Sequence, residues 1–281
     1  MFFRAVNIQR SLVLFKSSGG NKMSNDNVIK ETLFSIKKKG LSATSKFFRK
    51  INRLFLTSTL TEADSYKIPI VINNRNRYTC MLQLINWLER NNYSNIIILD
   101  NDSTYPPLLE YYKTTKHKII FLKRNVGYMA LWQTTFFEEI KKGFYVYTDP
   151  DVIPNSSCPA NVVYKLYTIL SKYNSIEKAG AALRVNDLPD EYDKKNEVQE
   201  WEKIYWQKQV ENNVYDAMVD TTFALYKPLA FGNAEMCKAY RVGGEYEFLH
   251  LPWYINSDNL TEEEKYYRSN VSKASSHWSS K

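Results

Sequence analysis

The chain has 281 residues, 44% of them hydrophobic and 15% aromatic, enough apolar material for one sizeable core and too little for two independent enzymes. Nine glycines and nine prolines exclude a fibrous or low-complexity protein, and no repeat marks a solenoid. The formal net charge of +8 is concentrated in residues 1–60, where twelve Lys or Arg face only two acids, Asp26 and Glu31; the nearly neutral remainder carries no basic stripe, which argues against a nucleic-acid partner.

The three cysteines, Cys80, Cys158 and Cys237, form no CxxC pair and no disulfide framework, as expected of a reducing compartment. No run approaches the roughly 18–20 apolar residues that would span a bilayer, and Leu12–Phe15 is too short for a signal-peptide core. The chain therefore reads as cytoplasmic, and the sequons at Asn92, Asn155 and Asn270 as chance.

Residues 1–66 form a basic leader, partly disordered or partly an amphipathic helix. A polar break at 17–27 contains Met23, an alternative start, and the segment before it has the Arg-bearing, acid-free composition of a targeting peptide. Phe47, Phe48, Ile51, Leu54 and Phe55 fall at helical spacing among Lys46, Arg49, Lys50 and Arg53. Two readings stand side by side: an interfacial helix that puts residues 28–56 in peripheral contact with an anionic membrane, or a helix packed on the following domain with its charges in water.

From residue 67 to 281 the pattern is that of one α/β domain. Ile68–Ile72 reads as a buried strand ending in Asn73-Asn-Arg-Asn-Arg77, and a helix follows with Met81, Leu84, Ile85 and Leu88 on its apolar side. Asn95–Leu99, Lys118–Leu122 and Phe144–Tyr147 read as further strands, with helices closing at Tyr111–Tyr112 and covering 129–142. Such alternation predicts a Rossmann-like, mostly parallel sheet flanked by helices. In such sheets ligands sit at the carboxyl ends of the strands. Those ends carry Asn73–Arg77, Asp100–Ser103, Arg124–Gly127 and Asp149-Pro-Asp151.

Asp149 and Asp151 leave the fourth strand one residue apart. One carboxylate can ligate a hard divalent cation while the other orients a ribose hydroxyl or a metal-bound water; a surface turn uses the same residues. Asp100 and Asn101 can meet a nucleobase edge or a ribose, and Arg75 and Arg77 a base or a phosphate, unless these are ordinary strand-end turns. His250, in His-Leu-Pro-Trp-Tyr254, is a candidate nitrogen ligand or a structural histidine, and His277 is a second on the tail. Asp187, Asp190, Glu202, Asp216 and Asp220 are candidates for a general base. Trp201, Tyr205 and Trp206 form either an acceptor-sugar platform or core.

In this order the elements from Ile68 to Tyr226 resemble the GT-A glycosyltransferases, particularly family 2-like members, with Asp149-Pro-Asp151 in the place of their DxD motif. The resemblance implies a nucleotide-diphosphate sugar donor, UDP-linked, held over Asn73, Arg75, Arg77, Asp100, Asn101, Asn125 and Asp149. It implies Mn²⁺ or Mg²⁺ bound through Asp149 and Asp151, with His250 joining them, and an acceptor that is a glycan, a lipid-linked glycan or a protein. Asp220 and Asp187 are the bases carried forward, because the usual acidic pair of inverting members is not evident. Two other readings fit the same residues less well: a non-catalytic, membrane-associated nucleotide-sugar-binding protein, and, behind it, a nucleotidyltransferase, which would show a glycine in the loop at Asn73–Arg77.

Overall fold

Period-two burial builds the centre of the molecule. In the computed structural model the first strand, Ile70–Asn74 (β1), is buried at every position. Ile70 and Ile72 face one hydrophobic cluster and Val71 the other, as expected when successive side chains point to opposite faces of a sheet covered on both sides. The structure describes residues 59–230 and 237–271, all within one compact unit. The amphipathic segment 47–55, the membrane contact expected of 28–56, and His277 lie outside the described residues.

The elements alternate as expected through the first half. Helix Thr79–Arg90 (α2, after a single-turn helix Glu62–Ser65, α1) buries Met81, Leu84, Ile85 and Leu88. This i, i+3, i+4, i+7 stripe packs on the sheet. Strand Ile96–Asp100 (β2), helix Pro106–Thr114 (α3) and strand Lys118–Phe121 (β3) follow. Strand Tyr145–Thr148 (β4) returns beside β1, so that β3, β2, β1 and β4 run parallel. The helix expected over 129–142 is instead a 3₁₀ turn, Leu131–Gln133, and a five-residue helix, Phe136–Ile140 (α4). Thr134 makes the break. Its backbone is extended, its hydroxyl donates to the Leu131 carbonyl, and the same oxygen accepts from the Phe137 N–H. A threonine that bonds locally to its own backbone competes with helix propagation in this way.

After β4 come Val152–Pro154 (β5), helix Val162–Lys172 (α5), Lys178–Ala181 (β6), helix Lys195–Lys203 (α6), Gln209–Glu211 (β7), Val214–Tyr215 (β8), Ala224–Tyr226 (β9), Ala239–Val242 (β10), Phe248–His250 (β11) and helix Glu262–Asn270 (α7). The large sheet has the order β3-β2-β1-β4-β9-β6-β10-β8-β7, and β11 pairs with β5 in a small second sheet. Strand β9 is antiparallel to both neighbours, β4 and β6. It therefore brings its preceding loop, 216–222, to the same edge as the carboxyl ends of β1 and β4.

Gly180 lets β6 and β9 come together. A Cβ there would stand 2.6 Å from Val219 Cγ1, 3.0 Å from Ala224 Cβ and 3.1 Å from the Phe223 carbonyl oxygen. Two of those neighbours cannot swing away. Gly180→Ala is expected to destabilise the protein by about 1–3 kcal/mol through overpacking, read as a lower urea midpoint; an unchanged midpoint would show that the strands slide apart without cost.

Candidate functional site

A cavity of about 510 Å³ opens at this edge. Asn73, Arg75, Arg77, Asn101, Asn125, Asp149, Asp151, Asp220 and His250 all line it. Residues from six separate segments, spread over 177 positions of sequence, thus meet in one cavity. Asp100 and Asp187 lie outside the lining. The Asp100 carboxylate is turned inward, where it accepts from the Tyr112 hydroxyl at 3.0 Å and the Ser103 N–H at 3.2 Å. Asp187 accepts from the Tyr254 hydroxyl at 2.6 Å and faces Arg184 at 3.7 Å.

The loop after β1 is set by Asn76, whose φ of 55° is left-handed, a conformation that asparagine tolerates better than most residues. Its Oδ1 accepts from the Thr104 and Tyr105 N–H groups, and its own N–H donates to Ser103 Oγ. This pins the β1 loop to the β2 loop and leaves Arg75 and Arg77 to enter the cavity on either side of it. Asn101 performs the same service for the next loop, donating to the Gly127 carbonyl at 2.9 Å and accepting from the Val126 N–H at 2.8 Å. Gly127, at φ 78°, permits the turn that presents Tyr128, 57% exposed, beside it at the cavity wall.

The acid pair occupies two environments. Asp149 Oδ2 accepts a 2.5 Å hydrogen bond from Thr221 Oγ1, and the Asp149 N–H donates to the Thr221 carbonyl. Burial, followed by the charge of Asp151, holds the Asp149 carboxyl well above the usual carboxylate range. Asp151 is anchored through its carbonyl, which accepts from Leu251 N–H at 2.8 Å. Its carboxylate stands between two cationic or basic groups: Arg77 Nε is 3.6 Å from Oδ2 and His250 Nε2 is 3.8 Å from Oδ1. Burial pushes the His250 imidazole below its ordinary value despite the opposing pull of Asp151, a direction that favours the neutral, ligand-competent form. Its Nδ1 is buried without a hydrogen-bond partner.

Arg77 is the link that sequence could not show. It pairs with Glu264 of α7 and its guanidinium lies 3.5 Å from the centre of the Tyr267 ring. Glu264 is held in turn by Arg268 at 2.7 Å. Glu263 accepts from the Tyr78 and Thr79 N–H groups at the start of α2, supplying the acidic partner that a helix N-terminus favours. Helix α7 is thereby fastened over the β1 loop, and Tyr267 and Val271 complete the cavity wall.

A second set of residues comes from α6, β10 and the 216–222 loop. Arg241 of β10 donates to Glu202 at 2.5 Å and to the Met218 carbonyl at 2.7 Å, over the Tyr205 ring at 4.0 Å. Lys178, 1% exposed on β6, donates to the Asp220 carbonyl at 3.2 Å and the Tyr226 hydroxyl at 3.1 Å. Burial brings its ammonium down to about 8. The three aromatics of 201–206 divide: Trp201 is exposed on the cavity, Tyr205 is buried in its wall, and Trp206 packs edge-on against Tyr215.

The donor set can be tested against the cation the sequence implies. Among the described residues no three His, Cys, Asp or Glu side chains are gathered around one point. Asp151 and His250, facing across 3.8 Å, supply one hard oxygen and one imidazole nitrogen. That set fits Mg²⁺ or Mn²⁺ bound in the manner that leaves most positions to substrate phosphate and water. Thr221→Val removes the hydroxyl from Asp149 without changing its volume. It is expected to destabilise the protein by roughly 1–3 kcal/mol, the cost of leaving a buried acceptor unpaired; an unchanged Tm would show that Asp149 finds another donor.

The molecule is an α/β protein with a polar, acid-lined cavity at the carboxyl edge of its sheet. No family model matches the sequence, and no curated protein matches it. Among solved structures it is similar to GalNAc-T7 with UDP, GalNAc and Mn²⁺, at 13% identity and a TM-score of 0.39, over 64% of this chain and 39% of that one. It is also similar to HddC from Yersinia pseudotuberculosis complexed with GMP-PN, at 10% identity and a TM-score of 0.39, over 66% of this chain and 93% of that one. The chain thus spans well under half the length of the first. Likenesses this loose carry no function over.

Proposed function

We propose that the protein is a glycosyltransferase that moves a sugar from a nucleotide-diphosphate donor, UDP-linked, to a hydroxyl acceptor. The observation that carries this reading is the exit of Asp149 and Asp151 from a parallel strand into one cavity with Asp220, His250 and the β1 loop.

In this reading Asn73, Arg75, Arg77, Asn101 and Asn125 receive the nucleoside and the phosphates. Asp149, with one oxygen fixed by Thr221, turns the other to a ribose hydroxyl. Asp151 and His250 would hold the divalent cation, which when bound neutralises the charge that builds on the departing diphosphate. Arg77 adds a fixed positive charge beside Asp151. Asp220, exposed on the 216–222 loop, takes the proton of the acceptor hydroxyl as that oxygen bonds to the anomeric carbon. The nucleoside diphosphate leaves with the bonding pair.

Thermal shift with UDP, GDP, UTP and a UDP-sugar panel, each with and without Mn²⁺, tests the reading. A ligand of the folded state at about 100 times its Kd adds roughly 2.7 kcal/mol. Stabilisation by UDP and a UDP-sugar only with Mn²⁺ is expected. Stabilisation by UTP alone would replace the reading with nucleotidyl transfer, and no response to any would remove it.

A further inference from the structure

Helix α6 carries an exposed tryptophan for which the donor half of the site has no use. Its sequence, Lys-Asn-Glu-Val-Gln-Glu-Trp-Glu-Lys, turns Val198 and Glu202 inward. Trp201, beside Glu202, keeps 53% of its surface open and lines the cavity. Met218, 40% exposed, lines the same cavity from the neighbouring loop. An apolar pair open to water is costly to display, and here it sits on fixed supports. Arg241 fastens Glu202, the Met218 carbonyl and the Tyr205 ring together, and Lys178 fastens the Asp220 carbonyl. A helix and a loop fastened in this way set the positions from which Trp201 and Met218 line the cavity with Asp220 before any ligand arrives.

We infer that Trp201 and Met218, with Asp220 beside them, form a carbohydrate subsite that takes the pyranose ring of a glycan acceptor. The inference rests on the transferase reading and narrows its acceptor to a saccharide. A pyranose has what this wall asks for: an apolar face of C–H groups to lie on the indole, and equatorial hydroxyls to donate to a carboxylate at the ring's edge. A lipid surface fits less well. The apolar pair shares its cavity with Asp220, exposed on the 216–222 loop, whose carboxylate opposes anionic headgroups. It also lies in a concave wall, where a bilayer cannot reach it flat.

Saturation-transfer NMR on the full chain tests this, with methyl glucoside, methyl galactoside, methyl N-acetylglucosaminide, cellobiose and chitobiose as probes. At least one saccharide is expected to receive saturation at its ring protons. That signal should fall at least fivefold in Trp201→Ala and keep at least half its strength in Trp201→Phe. No signal from any saccharide, or an equal signal in Trp201→Ala, would overturn the inference. So would co-sedimentation with phosphatidylserine vesicles that depends on Trp201. The UDP–Mn²⁺ thermal shift, run on the same samples, reads the donor site separately. Its absence from the wild type removes the transferase reading; its retention in Trp201→Ala, with saccharide binding lost, places the effect on the acceptor side alone.

Discussion

Asp151→Asn is expected to lower sugar transfer by roughly 10²–10³-fold, the scale seen when a charge-stabilising group is removed from a transition state, and to leave the fold in place. The substitution keeps the side chain's volume and removes only its charge. The backbone anchor, the Asp151 carbonyl accepting from Leu251, is untouched. Arg77 retains Glu264 as its ion-pair partner, so no buried guanidinium is stranded. What is lost is the one carboxylate facing both His250 and Arg77, and with it the charged oxygen ligand of the proposed cation site. Steady-state kinetics beside a melting curve checks the prediction. Full turnover in the variant at an unchanged Tm would take Asp151 out of the mechanism.

Arg77→Met is expected to cost the most stability of any single change at the site, about 3–5 kcal/mol. Breaking a buried ion pair by removing one partner leaves the other charge in a poor solvent. The Arg77 and Glu264 side chains are 4% and 6% exposed. Removing the guanidinium also strips the Tyr267 ring of its cationic partner and loosens α7 from the β1 loop. At roughly 2–4 °C per kcal/mol for a domain of this size, the melting temperature should fall by roughly 6–20 °C. Arg268 still reaches Glu264, which moderates the loss toward the lower end. Adding Glu264→Gln to Arg77→Met removes the stranded charge and should recover part of it. A fall of less than about 1 kcal/mol would mean that water solvates Glu264 as readily as Arg77 does. Arg77→Lys is not a conservative rescue, because a single ammonium cannot face Asp151, Glu264 and the Tyr267 ring together as the planar guanidinium does.

The first half of the fold was legible because its signals are local. Strands β1, β2, β3 and β4 are apolar runs bounded by polar clusters, and each begins within two residues of its expected position. The apolar stripe of α2 is read directly from Met81, Leu84, Ile85 and Leu88. The second half was less so. Thr221–Tyr226 reads as a strand, and Ala224–Tyr226 is one, but strands of two or three residues such as Gln209–Glu211 and Val214–Tyr215 are too short to show a period, and nothing local tells β9 to insert antiparallel between β4 and β6. At the site, the strand-end argument brought Asn73, Arg77, Asn101, Asp149 and Asp151 together. It could not separate Asp100, whose carboxylate turns inward to Tyr112, from Asn101 next to it. Arg77 and Glu264 are 187 residues apart, and no periodicity announces such a pair. Lys178 and Arg241 were missed because a lysine and an arginine at short strands read as solvent-facing, whereas here both are buried against carbonyls and rings.

Equilibrium titration of UDP into the wild-type protein, with Mn²⁺ and again in EDTA, tests the central claim most directly: that Asp149 and Asp151 mark a site where a divalent cation and a nucleoside diphosphate bind together. Because the diphosphate would supply oxygen ligands to the cation, each should strengthen the other's binding by the same factor. The account predicts UDP affinity at least about tenfold tighter with Mn²⁺, a coupling of about 1.4 kcal/mol, and no such gain in Asp151→Asn. Equal affinity in Mn²⁺ and EDTA, or an undiminished gain in the variant, would contradict it.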